Sequence, residues 1–159
     1  MLKMNSEFML AAIEEARKGS SSGEGGPFGA VVAKEGRIIS SAHNSVLKDN
    51  DPTQHAEIKA ISEAARKLGT YDLSGCDLYT TTEPCPMCFS AIHWARIGKV
   101  IYGTDIKDVK ELGFNELTIS VSEMKERGSS PVEIDSGFMR AECEDLLKFW
   151  ESLPDKQVY

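Results

Sequence analysis

Two short segments of this chain combine residue types that hold a metal with one that moves protons. One is His55-Ala56-Glu57, and the other is Pro84-Cys85-Pro86-Met87-Cys88. Each follows a loop and opens a stretch of helical periodicity. Cys85 and Cys88 are three apart, so a first helical turn puts both sulfurs on one side. Pro86 suits the first helical position, where no N–H is needed, and helix starts favour thiolates. One imidazole and two thiolates make a net-neutral site with Zn²⁺. Three protein ligands leave the fourth tetrahedral position open, the layout of a catalytic zinc, in which the pKa of water falls to about 7. Glu57 stands two residues past His55. At a helix tip it can reach the attacking water without being a ligand, whereas mid-helix the two side chains would diverge.

Plainer readings exist for each part. A lone CxxC is often a redox pair or half of a zinc ribbon, but a ribbon needs a second CxxC and the sequence has none. A lone His-x-Glu is usually two surface residues. His43 and His93 lie outside the motif and read as packing or hydrogen-bonding histidines. Cys76 and Cys143 read as small buried hydrophobes. The glycines at 23, 25, 26 and 29 follow a helix rather than a strand, and Pro27 lacks a donor, so they do not form a phosphate loop. Phe28 and Trp94 read as core residues on their own.

The elements that must position the motifs follow from periodicity. A helix is predicted from about Ser6 to Lys18, broken at Gly19. Strands over 30–34 and 37–41 flank a Glu35-Gly36 turn. NSVLKDNDPT is a loop, and a helix runs from about Gln54 to Leu68 with Ile58, Ile61, Ala65 and Leu68 on its apolar face. Further elements are a strand at 77–81, a helix from Pro86 to about Ile97, a strand at 99–103 and a short helix at 106–112. Segment 117–127 has no clear type. A strand at 131–134 and a helix at 139–153 complete the chain. The order implies one α/β domain over residues 1–159, a three-layer αβα sandwich around a five-stranded mixed sheet.

Composition narrows the partners. With 18 Lys plus Arg against 25 Asp plus Glu, the net charge is −7. That disfavours a nucleic-acid partner, whose phosphates call for a basic face. No apolar run is long enough to span a bilayer, and the N-terminus lacks the pattern of a signal peptide. The cytoplasm is the expected compartment.

At HAE and PCxxC the sequence resembles the zinc-dependent cytidine deaminase-like superfamily. The resemblance is closest to its guanine deaminases and spans nearly the whole chain. It is carried by GGPFGAVV (25–32), HN (43–44), DPTQHAEIKAI (51–61), EPCPMCFSAIHWAR (83–96), GF (113–114) and the terminal Tyr159. The resemblance implies one Zn²⁺ per chain on His55, Cys85 and Cys88, with Glu57 as proton shuttle. It implies that Asn44 and the backbone N–H of Ala56 contact the base, and that Phe28 and Trp94 line its pocket. Glu116 matches an acidic residue that reads the purine, with Asn115 beside it as the alternative. The implied reaction is hydrolysis of a small nucleobase, guanine to xanthine and ammonia, by a homodimer. In it, residues 154–159 would be exchanged between subunits so that Tyr159 closes the partner's site. The alternatives are a tRNA-specific adenosine deaminase, a deaminase of another base, nucleoside or aminated triazine, and a zinc-stabilised binding module without catalysis.

Overall fold

The computed structural model describes residues 4–159. The chain forms α1 (Ser6–Ser21), β1 (Gly29–Lys34), β2 (Arg37–His43), α2 (Val46–Asp49), α3 (Ala56–Leu68) and β3 (Cys76–Thr82). Then come α4 (Pro86–Trp94), β4 (Lys99–Thr104), α5 (Ile106–Glu111), α6 (Val121–Gly128), β5 (Glu133–Asp135) and α7 (Arg140–Glu151). The sheet runs β2-β1-β3-β4-β5. β1 is antiparallel to both neighbours, while β3, β4 and β5 are mutually parallel. This is the three-layer mixed-sheet architecture expected from the sequence. Among the described residues, no helix is long and apolar enough to cross a membrane.

Strand alternation builds the two helix layers. Ala30, Val32, Leu78, Val100 and Tyr102 face the layer of α3 and α4, where they meet Ala60, Phe89 and Ile92. Val31, Tyr79 and Ile101 face the opposite layer and meet Met9, Ala12, Cys143 and Leu146 of α1 and α7. The Glu35-Gly36 turn has positive φ at both residues, 50° and 75°, the geometry that matches strand twist in a two-residue hairpin.

Three departures from the sequence reading matter for the site. First, α1 runs past Gly19 to Ser21. Gly19 is there for space rather than as a breaker: a Cβ on it would collide with the His43 ring. Second, α3 buries Ala56, Glu57, Ala60 and Ala64 most deeply; of the predicted face, Ile61 and Ala65 pack against the edge of the core and Leu68 is exposed. Alanines four apart let the helix lie close to the strands, which carries Glu57 into the interior. Third, segment 46–49 is a short helix ended by left-handed Asn50, and the unclear 117–127 region holds α6, capped by Ser120.

Residues 154–159 are the tail expected to be exchanged between subunits. In the single chain they lie back over it, where Tyr159, with Leu153 before it, packs against Phe114, Leu147 and Trp150. The Tyr159 carbonyl accepts the Asn115 N–H at 2.9 Å.

Candidate active site

His55 occupies the N-cap position of α3 with extended backbone, φ −71° and ψ 153°. Cys85 holds the same position on α4, with Pro86 at the first helical residue. The extended backbone at both caps turns the side chains toward the gap between the two helix starts. The His55 Nδ1 lies 3.7 Å from the Cys85 Sγ and 3.5 Å from the Cys88 Sγ, and all three donor atoms lie within 4.8 Å of one another. Bonds of about 2.0 Å to nitrogen and 2.3 Å to sulfur give a tetrahedral N···S edge of roughly 3.6 Å. The donor set therefore fits Zn²⁺ in number, chemistry and spacing.

The electrostatics agree with metal-ligand character. A hydrogen bond with Cys88, followed by one with His55, holds the Cys85 thiol down to about 4 despite burial. Cys88 is pushed the other way, first by its bond to Cys85, then by burial and the nearby Glu57. For His55, burial opposes the charged form, but Cys85 and Glu57 outweigh it and the imidazole pKa rises.

Glu57 sits at the second position of α3, at the helix tip, as the two-residue spacing requires. It is 6% exposed, and burial raises its carboxyl above the ordinary value. The Thr80 hydroxyl donates to Oε1 at 2.8 Å, and Oε2 lies 3.5 Å from the Cys88 Sγ.

His55, Glu57 and Cys85 form the floor of a cavity of about 260 Å³. Phe28, Asn44, Phe114, Asn115, Glu116 and Tyr159 form its walls. Asn44 is buried, and its Oδ1 accepts the Val46 N–H at 3.1 Å. The Tyr159 hydroxyl accepts the Gly26 N–H at 3.2 Å. Gly25 must be glycine, because a Cβ there would strike the Asn44 side chain. The Phe114 ring meets Phe28, Trp150 and Tyr159 at centroid distances of 5.1–5.2 Å. Glu116 is half-buried, and burial, then the Cys85 charge, raises its carboxyl to about 7. The side chain of Ala56 is buried in the core. Its N–H, at the first position of α3, has no intrahelical acceptor.

Trp94 is a correction. It is 80% exposed and shares a separate surface groove with Tyr71 and Pro131, so within its own chain it does not line the cavity. The thiolates occupy the start of α4, and Trp94 lies eight residues beyond Pro86, about 12 Å along the helix. His43 and His93 are indeed hydrogen-bonding histidines. His43 lies between the carboxylates of Glu15 and Glu24, and His93 pairs with Ser130. Sequence reasoning missed Thr80 and Glu83. The one available signal for Thr80 was the polar run Thr80-Thr81-Thr82 inside a strand that is buried on both faces.

Comparison with known proteins agrees with this geometry. The family described as "Cytidine and deoxycytidylate deaminase zinc-binding region" matches residues 2–104. The guanine deaminase of Bacillus subtilis is 49% identical over 114 residues, 71% of this chain and 73% of that protein. The tRNA-specific adenosine deaminase of the same organism is 38% identical over 151 residues, 94% of this chain and 91% of that protein. The solved guanine deaminase from Nitrosomonas europaea superposes with a TM-score of 0.85 at 29% identity, covering 96% of this chain and 87% of that one. A His-Cys-Cys donor set on two helix starts, a buried glutamate beside it and a match over most of the chain lead to one assignment. The chain belongs to the cytidine and deoxycytidylate deaminase zinc-binding family and is a zinc-dependent hydrolytic deaminase.

Proposed function

We propose that this enzyme deaminates free guanine to xanthine and ammonia. The observation that carries the reading is the roof of the cavity. Tyr159, the last residue, lies across it, tied through its hydroxyl to Gly26 and through its carbonyl to Asn115. A small cavity roofed by an aromatic lid suits a free base better than a base still joined to a nucleic-acid strand. The net charge of −7 points the same way. So does the similarity to a guanine deaminase.

His55, Cys85 and Cys88 would hold Zn²⁺, which when bound would supply an activated water for the attack. The rest falls to the protein. Asn44 and the Ala56 N–H fix the polar edges of the base, and the Glu116 carboxylate accepts from a ring N–H. The Phe28 and Phe114 rings confine the base, and Tyr159 excludes bulk water. Thr80 anchors Glu57 Oε1, leaving Oε2 to move protons. As water adds to the carbon bearing the exocyclic amine, Glu57 takes a water proton and delivers it to the adjacent ring nitrogen. A second proton passes through Glu57 to the amine, the C–N bond breaks with its electron pair going to nitrogen, and ammonia leaves. The oxygen remains as the new ring carbonyl.

One observation favours the alternative, a tRNA-specific adenosine deaminase: the alignment to such an enzyme extends over 94% of the chain. An ammonia-release screen over guanine, guanosine, adenine, cytosine, cytidine and tRNA separates the two readings. Turnover of tRNA with none on guanine would overturn the guanine assignment.

Two further elements belong to this proposal. Assembly as a homodimer is supported by the exposed aromatics Trp94 and Tyr71, which share one surface groove. Sedimentation of Trp94→Asp should then show a shift toward monomer. The four cysteines are all free, which suits a reducing compartment, and we place the enzyme in the cytoplasm.

A further inference from the structure

Glu83 is a buried carboxylate, 8% exposed, that the reaction does not use. It stands at the end of β3, two residues before Cys85, and its own N–H is fixed to the Thr104 carbonyl at 2.7 Å. Its two oxygens go to two different helices. Oε1 accepts the Ile106 N–H at 3.1 Å, and Oε2 accepts the Val121 N–H at 2.9 Å. Those residues open α5 and α6.

First-position amides have no acceptor within their helix. The nearby caps are also committed elsewhere: Ser120 Oγ accepts from the Glu123 N–H, and the Asp108 carboxylate accepts from the Asp105 N–H. One carboxylate therefore serves both amides. The chain between them contains Phe114, Asn115 and Glu116, the wall of the cavity. Its outer stretch, 117–120, has no regular structure and is exposed. Besides Glu83, the segment is held by the Tyr159 carbonyl on the Asn115 N–H, by Lys110 on the Glu116 carbonyl, and by the packing of Phe114 on Phe28, Trp150 and Tyr159.

We propose that Glu83 is a positioning residue for the substrate: it fixes both ends of the wall segment to the strand end that leads into Cys85. Glu83 borders the cavity, but each of its oxygens accepts an N–H from an end of the wall segment, so the role assigned to it is to hold the segment and with it Phe114 and Glu116 relative to the metal ligands.

The test uses zinc-loaded full-length protein with guanine as the probe, a choice that rests on the guanine reading. Glu83→Gln keeps length and replaces one acceptor with an amide that cannot accept. KM for guanine should rise roughly 10- to 100-fold, the scale of a lost charge-assisted hydrogen bond. Zinc should remain at one per chain, and kcat should stay within about threefold. Without substrate, amide exchange across 112–120 should quicken at least about tenfold while β1 and β3 are unchanged.

Val121→Pro makes the second variant. It removes one donor at a position where proline is favoured and leaves the Cys85 segment untouched. The same KM rise and the same local exchange are expected, and this variant decides the matter if Glu83→Gln does not fold. A variant that folds and keeps zinc but shows unchanged KM and unchanged exchange across 112–120 would overturn the proposal. So would loss of zinc from folded Glu83→Gln. Should the wild type not turn over guanine, the function reading fails, and the exchange measurement alone decides the role of Glu83.

Discussion

Removing the Thr80 hydroxyl should slow chemistry without disturbing the metal. Thr80 is 1% exposed and donates to Glu57 Oε1 at 2.8 Å, while Glu57 itself is 6% exposed. Thr80→Val keeps the branched shape and deletes the donor, leaving a buried carboxylate oxygen unpaired. A hydrogen bond to a charged group contributes about 1.5–3 kcal/mol. At about 1.4 kcal/mol per decade, kcat should fall roughly 10- to 150-fold. KM should change little, because Thr80 does not line the cavity. Zinc should stay at one per chain, because the Thr80 side chain bonds none of the three ligands. The assay is initial-rate ammonia release on protein whose zinc content has been measured, with Thr80→Ser as the control that restores a donor. A zinc-loaded Thr80→Val with kcat within about threefold of wild type would refute the orienting role. So would a Thr80→Ser as slow as the valine variant.

Three other outcomes are expected. Cys85→Ala removes one of three ligands and should abolish tight zinc binding, as read by metal analysis; full retention would break the assignment of the site. Tyr159→Phe loses the hydroxyl that accepts the Gly26 N–H but keeps the ring on Phe114. It should raise KM for guanine about 5- to 10-fold, with an unchanged KM counting against a lid. Glu24 is held below its ordinary 4.5 by Lys48 and then His43. Its stabilisation is therefore present above pH 4.5 and lost as pH falls through the lower folded value. Melting curves of Glu24→Gln should converge on wild type at the acid end of that range and lie below it at neutral pH.

The reactive core of this protein was legible because its chemistry is local. His55 and Glu57, and Cys85 and Cys88, each lie within one turn of a helix start, so spacing alone places them. Layer order and strand alternation were legible for the same reason. What escaped depended on contacts far along the chain. Thr80 meets Glu57 across 23 residues, and Glu83 meets Val121 across 38; no local pattern announces such partners. The face of α3 was read only at Ile61 and Ala65, because alanine, not isoleucine, permits the close approach that carries Glu57 inward. Trp94 was misplaced because similarity at a motif says nothing about an axial offset along α4. Within one chain the tail meets Phe114 and Asn115, residues that a reading of DKQVY by itself does not include.

The most direct test of the account is the initial rate of xanthine formation from guanine as a function of bound zinc, from metal-stripped to fully loaded protein. The account predicts a rate that climbs in proportion to zinc and levels off at one per chain, with Glu57→Gln inactive at full loading. Fully loaded wild type that forms no xanthine, or a rate indifferent to zinc content, would contradict it.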